Sequence, residues 1–146
     1  MEIPYILTRP GAKAPAYATP GAAAADLCAA LDAPLTLAPG QRAIIPTGVA
    51  VQLPGPQWVA LLCARSGLAV KRGLTLSNGV GVIDSDYRGE IGAGVVNLGE
   101  EPVTVEPGER VAQLMILPVA QAAFVQAQSL DETDRGEGGF GSTGRL

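Results

Sequence analysis

Apolar residues in this chain recur in short runs that alternate with polar positions and stop at Pro-Gly pairs or glycine-rich turns. LTLAPGQRA (35–43) aligns without gaps to VTVEPGERV (103–111). In each copy an alternating segment leads into Pro-Gly, which suits the central positions of a type II turn. An apolar strand follows, over Ala43–Val51 in one copy and Val111–Pro118 in the other. Period-two patterning with regular turn punctuation predicts an all-β chain. The similarity occurs only twice, so it predicts two equivalent β-arches in a sandwich or barrel and not a solenoid.

One short helix fits the pattern. Ser66 can N-cap LAVKR, Lys71 and Arg72 then occupy its last turn, and Gly73 suits the C′ position. Strands resume at Leu74–Leu76 and Val80–Ile83. After Asp84–Gly89 the chain returns as IGAGVVNL, which predicts one long hairpin over residues 76–98. From Asp131 onward, DETDRGEGGFGSTGRL is too polar and glycine-rich for a core. Residues 1–130 are therefore read as the β domain and 131–146 as a mobile arm.

Composition narrows the chemistry. With 146 residues the chain suits one domain, and 4% aromatics predict a core of small and β-branched side chains. There is no histidine and there are two cysteines, Cys28 and Cys63, which argues against zinc sites and Ser–His or Cys–His nucleophiles. The start, MEIPYILTRP, does not read as a signal peptide, and runs such as Val59–Ala64 fall far short of a membrane span. A cytoplasmic protein without a membrane partner is expected. A net charge of −4 disfavours a nucleic-acid polymer as partner but not a mononucleotide. Eight arginines stand against two lysines, and arginine is the better fork for phosphate oxygens. Genomic base composition explains that bias equally well.

Four stretches carry candidate chemistry. In GVIDSDYRGEIG (81–92), Asp84 directly follows an apolar strand, which predicts a partly buried, fixed carboxylate; a plain polar turn is the competing reading. Asp86 lies two residues on and shares that face only if the chain stays extended. In AAADLCAA, Asp26 is a single acid in an apolar run and needs a partner, a cap or a ligand. ARSGLA (64–69) sets Arg65 beside Ser66 and Gly67 at the start of the expected helix, which suits either simple capping or an anion. GFGSTG (139–144) formally matches G-x-G-x-x-G but has no room for a following helix, so a dinucleotide fold is rejected. Its glycines with Ser142 and Thr143 could still wrap phosphate oxygens.

Together these segments resemble the trimeric dUTP diphosphatase (dUTPase) family over nearly the whole chain. Five motifs stand in the family's order: AAADL (23–27), ARSGLA (64–69), SNGVGVIDSDYRGEIG (77–92), GERVAQLMILPV (108–119) and RGEGGFGSTG (135–144). The resemblance implies a jelly-roll-like β-barrel or sandwich subunit with at most one short helix, assembled as a homotrimer with a flexible glycine-rich C-terminal arm. It implies hydrolysis of dUTP to dUMP and pyrophosphate, which keeps uracil out of DNA and supplies dUMP. Mg²⁺ would be held mainly by the triphosphate.

Carried over by position, Asp84 would be the general base for the attacking water. Arg65, Ser66, Gly67 and Gln113 would hold phosphates. Asn78, Val82, Ile83 and Gly92 would present the uracil pocket, with Tyr87 against the sugar. Phe140 would stack on the base while Arg135, Gly141, Ser142 and Thr143 close over the phosphates. Asp26 would reach the metal through water at most. The departures are Ala64 where proline is usual, Ala23 and Ala24 where glycine is common, and Cys28 where a basic residue is frequent. The competing readings are a dCTP deaminase-like relative, which lacks this arm and the D-x-D-Y pattern, and a non-catalytic nucleotide-binding module on the same scaffold.

Overall fold

The computed structural model describes residues 1–139; Phe140, Gly141, Ser142 and Thr143 lie outside the described residues. Eleven strands and one helix follow the order β1 (Tyr5–Leu7), β2 (Ala25–Cys28), β3 (Leu35–Leu37), β4 (Arg42–Pro46), β5 (Val49–Val51), β6 (Trp58–Ala64), α1 (Ser66–Arg72), β7 (Leu74–Leu76), β8 (Gly81–Ile83), β9 (Gly92–Asn97), β10 (Val103–Val105) and β11 (Arg110–Pro118). All pairings between these strands are antiparallel. A four-stranded sheet, β2-β11-β6-β8, and a three-stranded sheet, β4-β9-β7, are completed by the pairs β1-β5 and β3-β10. Leu27, Leu37, Ile45, Val49, Ala60, Ala93, Val95, Val105 and Ala112 fill one core between them. Among the described residues no aromatic is buried there, but leucine, not only valine and alanine, builds the core.

The two similar segments prove to be partners. Strands β3 and β10 pair directly, with Thr36 opposite Thr104 and their hydroxyl oxygens 2.8 Å apart. Both Pro-Gly turns carry the positive φ that a type II turn requires, 77° at Gly40 and 75° at Gly108. Each is closed in the same way: Gln41 N–H donates to Ala38 O and Glu109 N–H to Glu106 O, both at 3.0 Å. Their side chains reach back equally, accepting from Ala38 N–H at 2.9 Å and Glu106 N–H at 3.0 Å.

Three expectations are corrected. The strand expected over Ala43–Val51 breaks at Thr47–Gly48, because Gly48 turns to φ 66°; the Thr47 hydroxyl fixes the break by donating to Ile91 O at 2.6 Å. The hairpin expected over 76–98 does not zip. β8 joins β6, pairing Ala60 with Ile83, whereas β9 joins β4 and β7 in the other sheet. The core needs both sheets, and local sequence cannot say which edge a strand will take. Finally, Ser66 does not cap α1. Arg65 is the extended N-cap residue, without a side-chain cap, while Gly73 closes the helix at φ 72° as expected.

Candidate functional site

The unzipped hairpin leaves an opening between β8 and β9. It is a cleft of about 250 Å³ lined by Leu62, Asn78, Gly81, Val82, Ile83, Asp84, Tyr87, Glu90, Ile91, Gly92 and Gly94. β8 is the outer strand of its sheet, and β7 pairs with β9 only over Val95–Asn97. Two strand edges therefore face the cleft with backbone groups not spent on a ladder, apart from Gly94 O, which accepts from Ser77 N–H at 2.9 Å. Glycine keeps the floor open. A Cβ at Gly81 would sit 3.0 Å from Leu62 Cβ, and one at Gly92 would sit 2.8 Å from Ile44 Cγ2.

Asn78, Val82, Ile83, Asp84, Tyr87 and Gly92 thus line one cleft. Asp84 stands at the C-terminal end of β8 but is exposed in the chain, not partly buried as expected. Its carbonyl accepts from Tyr87 N–H at 3.2 Å, so the chain turns there, and Asp86 is exposed as well. Arg88 braces the same loop, donating from Nη1 to Ser85 O at 2.8 Å and Tyr87 O at 2.9 Å.

A second cluster forms around Asp26. Three polar residues are buried among the described ones: Asp26, Thr47 and Asn97. Thr47 and Asn97 serve the backbone; Asn97 donates to Leu37 O and Glu101 O and accepts from Gly99 N–H. Asp26, 5% exposed, collects side chains instead. Arg110 Nη1 donates to Oδ2 at 2.9 Å, and Gln113 Nε2 donates to Oδ1 at 3.2 Å. Arg65 Nε lies 3.2 Å from Oδ1, close enough for an ion pair but not aligned for a hydrogen bond. Arg65 Nη1 donates to Arg110 O at 2.9 Å. Among the described residues its Nη2 has no hydrogen bond, and Gln113 keeps a second N–H. The cluster can therefore hold an anion with donors already aimed by Asp26. Ser66 and Gly67 stand exposed beside it, and nothing lies within 4 Å of where a Gly67 Cβ would be.

Within one chain, Asp84 of the first cluster and Arg65 of the second lie toward opposite ends of β6. Ile83 pairs with Ala60 and Cys63 pairs with Gln113, so Asp84 adjoins one end of β6 and Arg65 follows the other. Six residues of strand separate those ends by roughly 20 Å. Arg135 joins neither cluster; it is exposed, and its Nε donates to Gly138 O at 2.8 Å.

Sequence reasoning missed Arg110 and Glu90. The signal for Arg110 was present in the fourth motif, in register with Cys28 beside Asp26. Glu90 was flagged only by being an acid between Gly89 and the buried Ile91. Its carboxylate accepts from Thr8 Oγ1 at 2.9 Å, from Arg9 Nε at 3.1 Å and Nη2 at 3.0 Å, and from Gly48 N–H at 3.0 Å. Burial pushes this carboxyl up, but the Gly48 amide, Thr8 and Arg9 outweigh it and hold the group below its ordinary value of 4.5.

Among the described residues no three His, Cys, Asp or Glu side chains converge to form a metal cage. Nor, among the described residues, is any helix long and apolar enough to cross a membrane.

An open cleft with a carboxylate at its lip, on an all-β scaffold, is a candidate small-ligand site. A family model described as dUTPase matches residues 11–144, and the chain belongs to that family. It is 56% identical over 144 residues to the deoxyuridine 5'-triphosphate nucleotidohydrolase of Desulfitobacterium hafniense, covering 99% of this chain and 95% of that protein. The corresponding protein of Thiobacillus denitrificans is 49% identical over 145 residues, with 99% of each chain covered. A mutant dUTPase of Staphylococcus bacteriophage 80alpha, solved with dUpNHpp, superposes with a TM-score of 0.91 at 28% identity over 99% of both chains.

Proposed function

We infer that this chain hydrolyses dUTP to dUMP and pyrophosphate, as a homotrimer whose sites are shared between copies. The observation that carries the reading is the unpaired cleft between β8 and β9 with Asp84 at its lip. Uracil presents alternating acceptors and a donor along one edge. Facing strand edges near Val82, Ile83 and Gly92, helped by Asn78, offer the complementary backbone groups. Cytosine would reverse two of these pairings, at ring N3 and at the exocyclic group on C4, and leave polar groups unmatched, while thymine's extra methyl needs space between Gly81 and Gly92. Tyr87 closes the sugar side, where a 2′-hydroxyl would meet its ring.

Asp84 accepts a proton from a water whose oxygen attacks the α-phosphorus. The new P–O bond forms as the bond to the bridging oxygen breaks, and pyrophosphate leaves. Most of the acceleration in such a reaction comes from positioning and charge stabilisation. Arg65, Ser66, Gly67 and Gln113 supply that stabilisation to the phosphate chain. A carboxylate at the α-phosphorus and an arginine on the neighbouring phosphates must both reach one triphosphate. Their separation of roughly 20 Å within one chain therefore supports a site completed by a second copy. Arg135, Phe140 and Gly141–Thr143, on the arm 131–146, would close over the nucleotide and exclude bulk water. The dCTP deaminase-like and purely binding alternatives are not favoured, since Asp84 and the arm motif are both present.

The donor set fits a metal carried by the substrate. Asp26 already has both carboxylate oxygens engaged by Arg65, Arg110 and Gln113, which favours contact with an ion through water. Mg²⁺, which keeps waters and prefers phosphate oxygens, would supply charge neutralisation along the triphosphate. The cytoplasm, where nucleotides and Mg²⁺ are abundant, is the compartment this reading implies.

The test is pyrophosphate release from dUTP, dCTP, dTTP and UTP with and without Mg²⁺. Fast, Mg²⁺-dependent release from dUTP alone supports the reading. Ammonia from dCTP, or no release from any nucleotide, contradicts it.

A further inference from the structure

We propose that Thr8, Arg9 and Glu90 form a latch that seats Tyr87, making Arg9 and Glu90 positioning residues for discrimination between deoxyribose and ribose. The inference rests on the reading of Tyr87 as the sugar-side wall. Tyr87 is 45% exposed, yet its ring is held at several points. Its hydroxyl donates to Glu90 O at 2.9 Å. The ring lies across Gly89, where a Cβ would overlap the phenol oxygen and stand 2.6 Å from Cζ. Only a residue without a side chain leaves that seat open.

The seat is fixed by what holds Glu90. Four donor groups converge on its carboxylate: the Thr8 hydroxyl, Arg9 Nε and Nη2, and the Gly48 amide. Charge-assisted bonds of this kind fix geometry as well as contributing energy. The N-terminal segment reaches Glu90 because Thr8 N–H donates to Gly48 O at 2.8 Å. Gly48 makes that approach possible; a Cβ there would stand 2.8 Å from Arg9 Cγ and 3.2 Å from Ala30 Cβ, and would overlap Ala12. From Thr8 to Tyr87 the path is continuous: carboxylate, Glu90 backbone, phenol hydroxyl. The peptide that carries the Glu90 carbonyl is also held by Ile91 N–H, which donates to Val49 O at 2.8 Å, so releasing the carboxylate loosens the ring's seat without detaching it.

The pair is accessible, with side-chain exposures of 42% for Arg9 and 22% for Glu90. Breaking it leaves no charge stranded in the core, so Arg9→Ala provides a folded variant even if Glu90→Gln does not. The experiment measures kcat/KM for dUTP and for UTP in wild type, Arg9→Ala, Arg9→Lys, Glu90→Gln and Tyr87→Ala. The latch predicts that Arg9→Ala and Glu90→Gln lower the dUTP/UTP ratio by about tenfold, in the direction of Tyr87→Ala, with partial recovery in Arg9→Lys. A merely structural role would lower thermal stability, or both rates together, and leave the ratio unchanged. Tyr87→Ala lowering the ratio while the latch variants do not overturns the inference. An unchanged ratio in Tyr87→Ala overturns the reading of the sugar wall itself, and the latch with it.

Discussion

Arg65 Nε stands 3.2 Å from Asp26 Oδ1, so the buried acid of the first motif meets the arginine of the second. Arg110 and Gln113 of the fourth motif complete the group. Motifs far apart in sequence thereby become one polar cluster, which the proposed function reads as an anion cradle. Its donors are aimed in advance, so their ordering does not have to occur when the nucleotide binds.

Asp26→Asn should loosen that cradle. The two arginines lose their counter-charge, although partial exposure of both screens the effect. A stability loss of about 1–3 kcal/mol is expected, read from chemical denaturation. KM for dUTP should rise at the same time, because Arg65 and Gln113 are no longer held. Unchanged KM would separate Asp26 from phosphate binding.

Removing residues 135–146 should leave the assembly intact, since among the described residues Arg135 makes its hydrogen bond only within its own turn, to Gly138. Turnover should fall by about 100-fold through loss of the closing contacts. Gel filtration and pyrophosphate release read the two effects independently. A dissociated trimer would give the arm an assembly role instead.

Glu90 makes a prediction in pH. Its carboxyl lies below the ordinary 4.5 in the folded chain, so the fold favours the ionised form. The stabilisation is present above the unfolded value and is lost as pH falls through the lowered folded value. The difference in melting temperature between wild type and Glu90→Gln should therefore be full near neutral pH, begin to shrink as pH falls below 4.5, and be lost only as pH passes through the lowered folded value. A difference that grew with acidification would contradict the assignment.

These relationships differ in how far they could be read from the chain. The Pro39–Gly40 and Pro107–Gly108 turns were legible because a positive φ is a local requirement that glycine meets. The apolar alternation of 35–37 and 103–105 was local too, but their pairing with each other was not. The cleft was misread for the same reason: residues 76–98 carry hairpin signals, while the choice of β6 as partner for β8 is made by long-range packing. That failure to zip creates the cleft. Asp26 was legible as an acid in need of a partner, but its partners Arg110 and Gln113 lie 84 and 87 positions away. Glu90 and Arg9, 81 apart, left no local trace of their pairing.

The claim on which the account turns is that Asp84 of one copy works with Arg65 of another. Asp84→Asn and Arg65→Ala chains, each expected to be folded and nearly inactive, would be unfolded, mixed in equal amounts and refolded together. Random trimers then contain sites in which both residues are intact, and about a quarter of wild-type pyrophosphate release from dUTP should return. Activity no higher than that of either variant alone would contradict the shared site and return the chemistry to a single chain.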